Sequence, residues 1–200
     1  MEIVCLDMEG VVTPEIWIAF AEATGIDELR RTTRDEPDYD KLMRWRIDLL
    51  RSRGMGLPEI QRVIGSIEPL SGAKEFLDEL RALTQVVILS DTFTQFAMPL
   101  MKKLGYPTLL CNTLTVSPSG EILGHRMRTE HSKRTTVRAL QAIGYDTIAA
   151  GDSYNDLEML LESKAGFLFR TTPEIRAAYP QLPAFDSYDA LLGAIREQLT

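Results

Sequence analysis

Ile3-Val4-Cys5-Leu6-Asp7-Met8-Glu9-Gly10-Val11-Val12 decides how the rest of the chain is read. A short β-branched apolar run that stops abruptly at acidic residues predicts a strand buried on both faces, with its polar end free to meet a ligand. Gly10, with no side chain, permits a close backbone approach there. Two later runs repeat the pattern: Val86-Val87-Ile88-Leu89 before Ser90, and Ile148-Ala149-Ala150 before Gly151-Asp152. Residues 108–111 and 166–169 are further strand candidates. Helical stripes separate most of them, through Phe76, Leu77, Leu80 and Leu83 and then over 92–104, 132–143, 156–163 and 188–199. This alternation predicts an α/β fold with a doubly wound, mainly parallel Rossmann-like sheet. Pro99 should kink or break the second of these helices.

About 60 residues separate the first strand from the helix near Ala73, far more than the dozen or so a simple crossover needs. Leu42, Arg46, Leu49 and Leu50 fit one helix, and Ile60, Val63, Ile64 and Ile67 follow another stripe after Leu57-Pro58. The expected organisation is a catalytic core from 1–13 and 70–200 with a small helical cap inserted at 14–69. The turn cluster Ser117-Pro118-Ser119-Gly120 suggests a β-hairpin near 113–128.

The chain has 200 residues, 44% hydrophobic and 26% charged, enough to bury a core without metal or disulfide staples. Lysine and arginine number 22 against 29 acidic residues, and the resulting net charge of -7 repels polyanions, so no nucleic-acid partner is expected. Cys5 and Cys111, far apart in apolar runs, fit a reducing, cytoplasmic compartment. No membrane segment or export signal is expected. His125 and His131 lack metal-ligand spacing and are read as surface or loop residues, while Trp17 and Trp45 are read as cap core or pocket lining.

In an open α/β sheet, ligands bind beyond the carboxyl ends of the strands. Asp7 and Glu9 stand at the first such end, where they serve either as solvated acids or as a reacting pair. Ser90-Asp91-Thr92 stand at the second, where they either cap a helix or offer hydroxyls and amides to an anion. Gly151-Asp152-Ser153-Tyr154-Asn155-Asp156 stand at the third and supply hard oxygen ligands or an acidic helix cap. Lys133, near a helix start, is either surface or a phosphate partner.

In this order and at strand ends, the four pieces resemble the four motifs of the haloacid dehalogenase superfamily, nearly end to end over the core. The resemblance implies an Asp7 nucleophile, Glu9 in the acid/base position, and Ser90, Asp91, Thr92 and Lys133 around a phosphate. It also implies Mg²⁺ held by Asp7, Asp152 and the main-chain carbonyl at Glu9, with Gly151, Ser153, Asn155 and Asp156 in support. Such a centre moves a phosphoryl group through an aspartyl-phosphate: Mg²⁺ and Lys133 neutralise the dianion that would otherwise repel the attacking carboxylate.

The cap position and Ile67-Glu68-Pro69-Leu70-Ser71-Gly72-Ala73 are similar, more narrowly, to the phosphoserine phosphatases. That likeness implies Glu15 for a substrate ammonium and Arg46 for its carboxylate, the alternative for Arg46 being a solvated helix arginine. Phosphoserine phosphatases have Asp where this chain has Glu9, and the longer side chain changes which acceptor it can activate. Asp-x-Glu-Gly-Val, with 14–20, 86–93 and 149–156, resembles the bacterial phosphoserine:homoserine phosphotransferase branch. The implied partners are L-phosphoserine and homoserine, with a homodimer as the implied assembly. A related phosphatase for another small phosphomonoester is the enzymatic alternative. A receiver-like phospho-Asp module is the non-enzymatic one, and the inserted cap and the late Gly151-Asp152 motif argue against it.

Overall fold

The computed structural model describes residues 1–32, 35, 36 and 38–199. Its strands are β1 (Glu2–Leu6), β2 (Gln85–Phe93), β3 (Thr108–Val116), β4 (Ile122–Arg126), β5 (Asp146–Gly151), β6 (Ala165–Phe169) and β7 (Ala184–Phe185). Its helices are α1 (Ile16–Thr24), α2 (Tyr39–Ser52), α3 (Leu57–Ser66), α4 (Ala73–Leu83), α5 (Thr94–Lys103), α6 (Ser132–Ala142), α7 (Leu157–Glu162), α8 (Pro173–Ala178) and α9 (Tyr188–Arg196). The strands form one sheet in the order β4-β3-β2-β1-β5-β6-β7, parallel throughout except for the β3/β4 pair. This is the doubly wound α/β fold expected from the alternation.

The period-2 geometry of β1 sends Val4 and Leu6 to one apolar cluster and Ile3 and Cys5 to the other, which explains why the strand is apolar on both faces. Helices α4, α5 and α9 cover the first face, and α6, α7 and α8 cover the second. The chain leaves β1 for β2 on one side and later returns to β5 on the other. The reversal of strand order at β1/β5 opens the crevice where such sheets bind ligands. Leu6 pairs with Ala150, and the Asp7 amide donates to the Ala150 carbonyl at 2.9 Å, so the first and third polar strand ends emerge side by side.

Between β1 and α4 lie α1, a 3₁₀ turn at Asp27–Arg30, α2 and α3. Phe20, Met43, Leu50 and Ile64 from these helices share one buried cluster with Leu6 and Phe93 of the sheet and Phe96 of α5. The hairpin is present as β3 and β4, but β3 already begins at Thr108, so the short strand at 108–111 and the first hairpin arm are one element. The hairpin grips the inserted helices. The Leu57 amide donates to the Gly120 carbonyl at 2.8 Å, Arg51 Nη2 donates to the Ile122 carbonyl at 3.2 Å, and His125 Nε2 lies 2.9 Å from Asp40 Oδ1. His125 is therefore not a surface residue: its side chain is 10% exposed and stands edge-on to Tyr39 and Phe93.

Two local expectations are corrected. Ser90-Asp91-Thr92 do not cap a helix, because β2 continues through them to Phe93, with a register irregularity after Leu89, and α5 starts at Thr94. Of the kink or break expected at Pro99, the break is absent, because α5 continues through that residue. Proline cannot bond the carbonyl of Gln95, and the Gln61 side chain supplies the missing donor at 2.8 Å, which offsets the lost hydrogen bond. Among the described residues, no helix is long and apolar enough to cross a membrane.

Candidate active site

Asp7, Ser90 and Asp152 stand at or just past the carboxyl ends of β1, β2 and β5, and Lys133 is the second residue of α6. These elements converge on one cavity of about 1070 Å³, lined also by Glu9, Glu15, Trp17, Tyr39 and Arg46. Lys133 is not on the surface. It is 4% exposed, and its Nζ bridges Asp7 Oδ1 at 2.8 Å and Asp156 Oδ1 at 2.6 Å. A buried ammonium persists only when paired, and here two carboxylates pair it. Burial by itself would weaken its hold on the proton, but Asp156, Asp7 and Asp91 outweigh that effect and keep Lys133 above the ordinary lysine range.

Burial, reinforced by the charge of Asp156, raises the Asp7 carboxyl well above the usual range against the opposing pull of Lys133. Burial, then Asp156 and Glu15, push Asp152 up to about 7. Oxygens of Asp7, Asp152 and Asp156 lie within 4.8 Å of one another. Three acids around one lysine leave negative charge uncompensated, and an all-carboxylate oxygen set suits a hard divalent cation. Asp156 is largely committed elsewhere: Oδ1 accepts from Lys133, and Oδ2 accepts from the amides of Asp152 and Ser153, both at 3.0 Å, and from Ser153 Oγ. Asp7 and Asp152 are thus the side chains better able to meet a cation, with Asp156 holding their loop and the lysine.

The glycines have steric reasons. A Cβ on Gly10, whose φ is +77°, would sit 2.5 Å from Asp152 Cγ, and one on Gly151 would sit 2.4 Å from Asp156 Cβ. Gly10 therefore lets the β1 loop close over Asp152, and Gly151 lets Asp156 fold back beneath it.

Glu9 Oε2 accepts from the Ile16 amide at 2.9 Å, tying this carboxyl to the start of α1. Burial, then the charge of Glu15, push Glu9 up to about 8, with the Ile16 amide pulling the other way. Ser90, 3% exposed, accepts from the Thr92 amide at 3.2 Å, and Thr92 is itself buried. The Asp91 carboxylate faces Ser132 and Asn155. Ser153 Oγ also contacts Asn155 Oδ1.

Glu15 is exposed on the cavity lining, and its charge acts on the Arg46 guanidinium. Arg46 is 5% exposed, so the solvated-helix alternative fails. Its guanidinium lies 4.3 Å over the Trp17 ring, and its Nη2 donates to the Arg31 carbonyl at 2.7 Å. Its Nε is buried without a partner among the described residues, which suits an anionic ligand in the cavity. Trp17 lines the cavity, and Arg31 stacks over Trp45 at 5.3 Å.

Three supporting residues went unnoticed in the sequence. Asn112, 1% exposed, donates to the Asp91 carbonyl at 2.9 Å and accepts from the Arg128 amide at 2.9 Å. Ser132 Oγ donates to Asp91 Oδ1 at 2.9 Å. Thr171 Oγ1 donates to the Asp152 carbonyl at 2.5 Å. Asn112 and Thr171 had a signal: Asn112 directly follows the apolar strand candidate 108–111, and Thr171 follows 166–169 with one residue between.

The family model described as haloacid dehalogenase-like hydrolase matches residues 13–161, a span that begins beyond Asp7 and Glu9 but covers most of the chain. The chain belongs to this family. Within this hydrolase family, a Pseudomonas aeruginosa protein named phosphoserine phosphatase ThrH is 53% identical over 191 residues, spanning 96% of this chain and 93% of that protein. A Pseudomonas syringae pv. tomato phosphoserine phosphatase is 51% identical, over 96% of this chain and 81% of its own length. The fold also matches a solved substrate-bound phosphoserine phosphatase complex, with a TM-score of 0.75 at 20% identity over 100% of this chain and 98% of that one. The haloacid dehalogenase-like chain is thus an enzyme of the hydrolase type, as its motif order implied.

Proposed function

We propose that this protein is a Mg²⁺-dependent phosphoserine phosphatase that also transfers the phosphoryl group to homoserine, through an aspartyl-phosphate on Asp7. The observation that carries this reading is the buried Lys133 bridge from Asp7 to Asp156, on a cavity that also holds Glu9, Asp152 and the unpaired Arg46 Nε. The names of the two close relatives support the substrate. The proposed division is a core of 1–13 and 70–200 with 14–69 as the cap, in a cytoplasmic enzyme that forms a homodimer.

Asp7 is the nucleophile. Lys133 offsets the charge of the phosphoryl oxygens as the carboxylate approaches phosphorus, and Ser90, Thr92 and the main chain at Asp91 orient those oxygens. Magnesium, when held by Asp7, Asp152 and the Glu9 carbonyl, supplies further charge neutralisation. Glu9, carrying a proton at neutral pH, gives it to the departing serine oxygen, and the resulting carboxylate then takes a proton from the acceptor hydroxyl. Arg46 reads the substrate carboxylate and Glu15 its ammonium. Homoserine has the same ammonium and carboxylate, so the groups that hold serine can hold the acceptor.

The test is steady-state phosphate release with Mg²⁺ from L-phosphoserine and from a panel of phosphothreonine, phosphoethanolamine and glycerol phosphate. The reading expects L-phosphoserine to have the highest kcat/KM and Asp7→Asn to abolish turnover. A flat panel, or preference for a substrate lacking the carboxylate, overturns the substrate assignment.

A further inference from the structure

Asp91 is a carboxylate two residues from Thr92's neighbour Phe93 and directly beside Ser90, in a cavity read as binding a phosphate dianion. An anion there repels the ligand unless it contributes something larger. Its hydrogen bonds show what that is. Oδ1 accepts from Ser132 Oγ at 2.9 Å, and Oδ2 accepts from Asn155 Nδ2 at 3.3 Å. Ser132 precedes Lys133 at the start of α6, and Asn155 precedes Asp156 in the loop after β5. Lys133 and Asp156 are themselves joined at 2.6 Å.

These links close a ring: Asp91 to Ser132, along the chain to Lys133, across to Asp156, back along the chain to Asn155, and across to Asp91 again. The Asp91 main chain is anchored independently, its carbonyl accepting from Asn112 Nδ2 at 2.9 Å and from the Tyr39 hydroxyl at 3.4 Å. The carboxylate therefore stands on a fixed strand end and holds two separate loops in register with it.

We propose that Asp91 is a positioning residue whose carboxylate, rather than touching phosphate, ties the Lys133 helix and the Asp152–Asp156 loop to the Ser90 strand end. The proposal rests on reading the cavity as a phosphoryl-transfer centre. It gives an unusual sign: deleting a negative charge beside a phosphate site weakens phosphate binding, because lost registration of Lys133 outweighs the relieved repulsion. Asn at this position keeps an acceptor for Ser132 but turns a donor toward the donor of Asn155, so it preserves one tie of the two.

The experiment compares the parent with Asp91→Ala, Asp91→Asn, Ser132→Ala and the Asp91→Ala/Ser132→Ala pair. It measures the Kd of inorganic phosphate with Mg²⁺ present by calorimetry, and kcat and KM for p-nitrophenyl phosphate. That substrate lacks the amino-acid group, so an error in the L-phosphoserine assignment does not enter the result. Hydrogen bonds to a charged group predict that Asp91→Ala weakens phosphate binding about tenfold or more and lowers kcat by a similar factor. Asp91→Asn should fall between parent and Asp91→Ala, and Ser132→Ala should cost little once Asp91 is already Ala. Phosphate binding that is unchanged or tighter in both Asp91 variants overturns the proposal, as do losses from Asp91→Ala and Ser132→Ala that simply multiply.

Discussion

Replacing Gly10 with alanine adds one carbon at the point where the β1 loop closes over Asp152. That Cβ would lie 2.5 Å from both Asp152 Cγ and Oδ2. Ordinary carbon contacts are about 3.5–4.0 Å, so the carboxyl must retreat by roughly 1 Å. A displacement of this size in a reacting constellation costs about 100-fold in rate. The φ of +77° adds backbone strain of about 1–2 kcal/mol for a residue with a side chain, or roughly 2–8 °C in Tm for a chain of this size. Gly25→Ala separates the two effects, because its φ is +70° but none of the described residues lies within 4 Å of the added carbon. Phosphate release at varied Mg²⁺, with thermal unfolding in parallel, should show both variants destabilised but only Gly10→Ala slowed, with its Mg²⁺ midpoint raised. Parental kcat and Mg²⁺ dependence in Gly10→Ala would refute the placement of Asp152 beside that loop.

Other outcomes follow from the same contacts. Lys133→Met leaves Asp7 and Asp156 buried without their ammonium, which should cost about 3–5 kcal/mol in urea unfolding at neutral pH; an unchanged midpoint would contradict the bridge. Arg46→Ala should raise KM for L-phosphoserine at least tenfold by removing a charged hydrogen-bond donor, while p-nitrophenyl phosphate, which lacks the amino-acid carboxylate, should show no matching rise. Glu9, pushed from 4.5 to about 8 chiefly by burial, holds a proton that the unfolded chain releases. Its stabilising contribution is therefore full below about 4.5 and lost as pH rises through about 8, and kcat for a poor leaving group should fall over that upper limb. A kcat that rises through pH 8 would exclude Glu9 as the proton donor.

The strands that carry the site were legible because each combines a doubly buried apolar run with an abrupt polar end, as at Leu6-Asp7 and Ala150-Gly151. What sequence could not supply was which of those ends touch. Lys133 looks like any lysine near a helix start until the fold brings it to Asp7, 126 positions away. Helix α1 was missed because Ile16-Trp17-Ile18-Ala19-Phe20-Ala21 is apolar all round and has no single stripe. Its Trp17 face turns to the cavity while Ile16 and Phe20 turn to the core. The sequence leaves Arg46 open between a solvated helix arginine and a carboxylate clamp, because its burial depends on the Trp17 ring and the Arg31 carbonyl, both on other segments. Pro99 predicts a kink or a break, yet α5 runs on through it, and Gln61, which bonds the carbonyl that proline leaves free, lies in a different helix. Strand β7, only Ala184–Phe185, is too short to carry any periodic signal.

The most direct test of phosphoryl transfer through Asp7 is to incubate the purified protein with Mg²⁺ and L-phosphoserine, with and without homoserine, and quantify inorganic phosphate and phosphohomoserine together. Phosphoryl transfer through Asp7 gives phosphate alone without homoserine, phosphohomoserine at the expense of phosphate when it is added, and neither product from Asp7→Asn. Phosphate release that homoserine leaves unchanged would contradict transfer, and turnover that survives Asp7→Asn would contradict the covalent route itself.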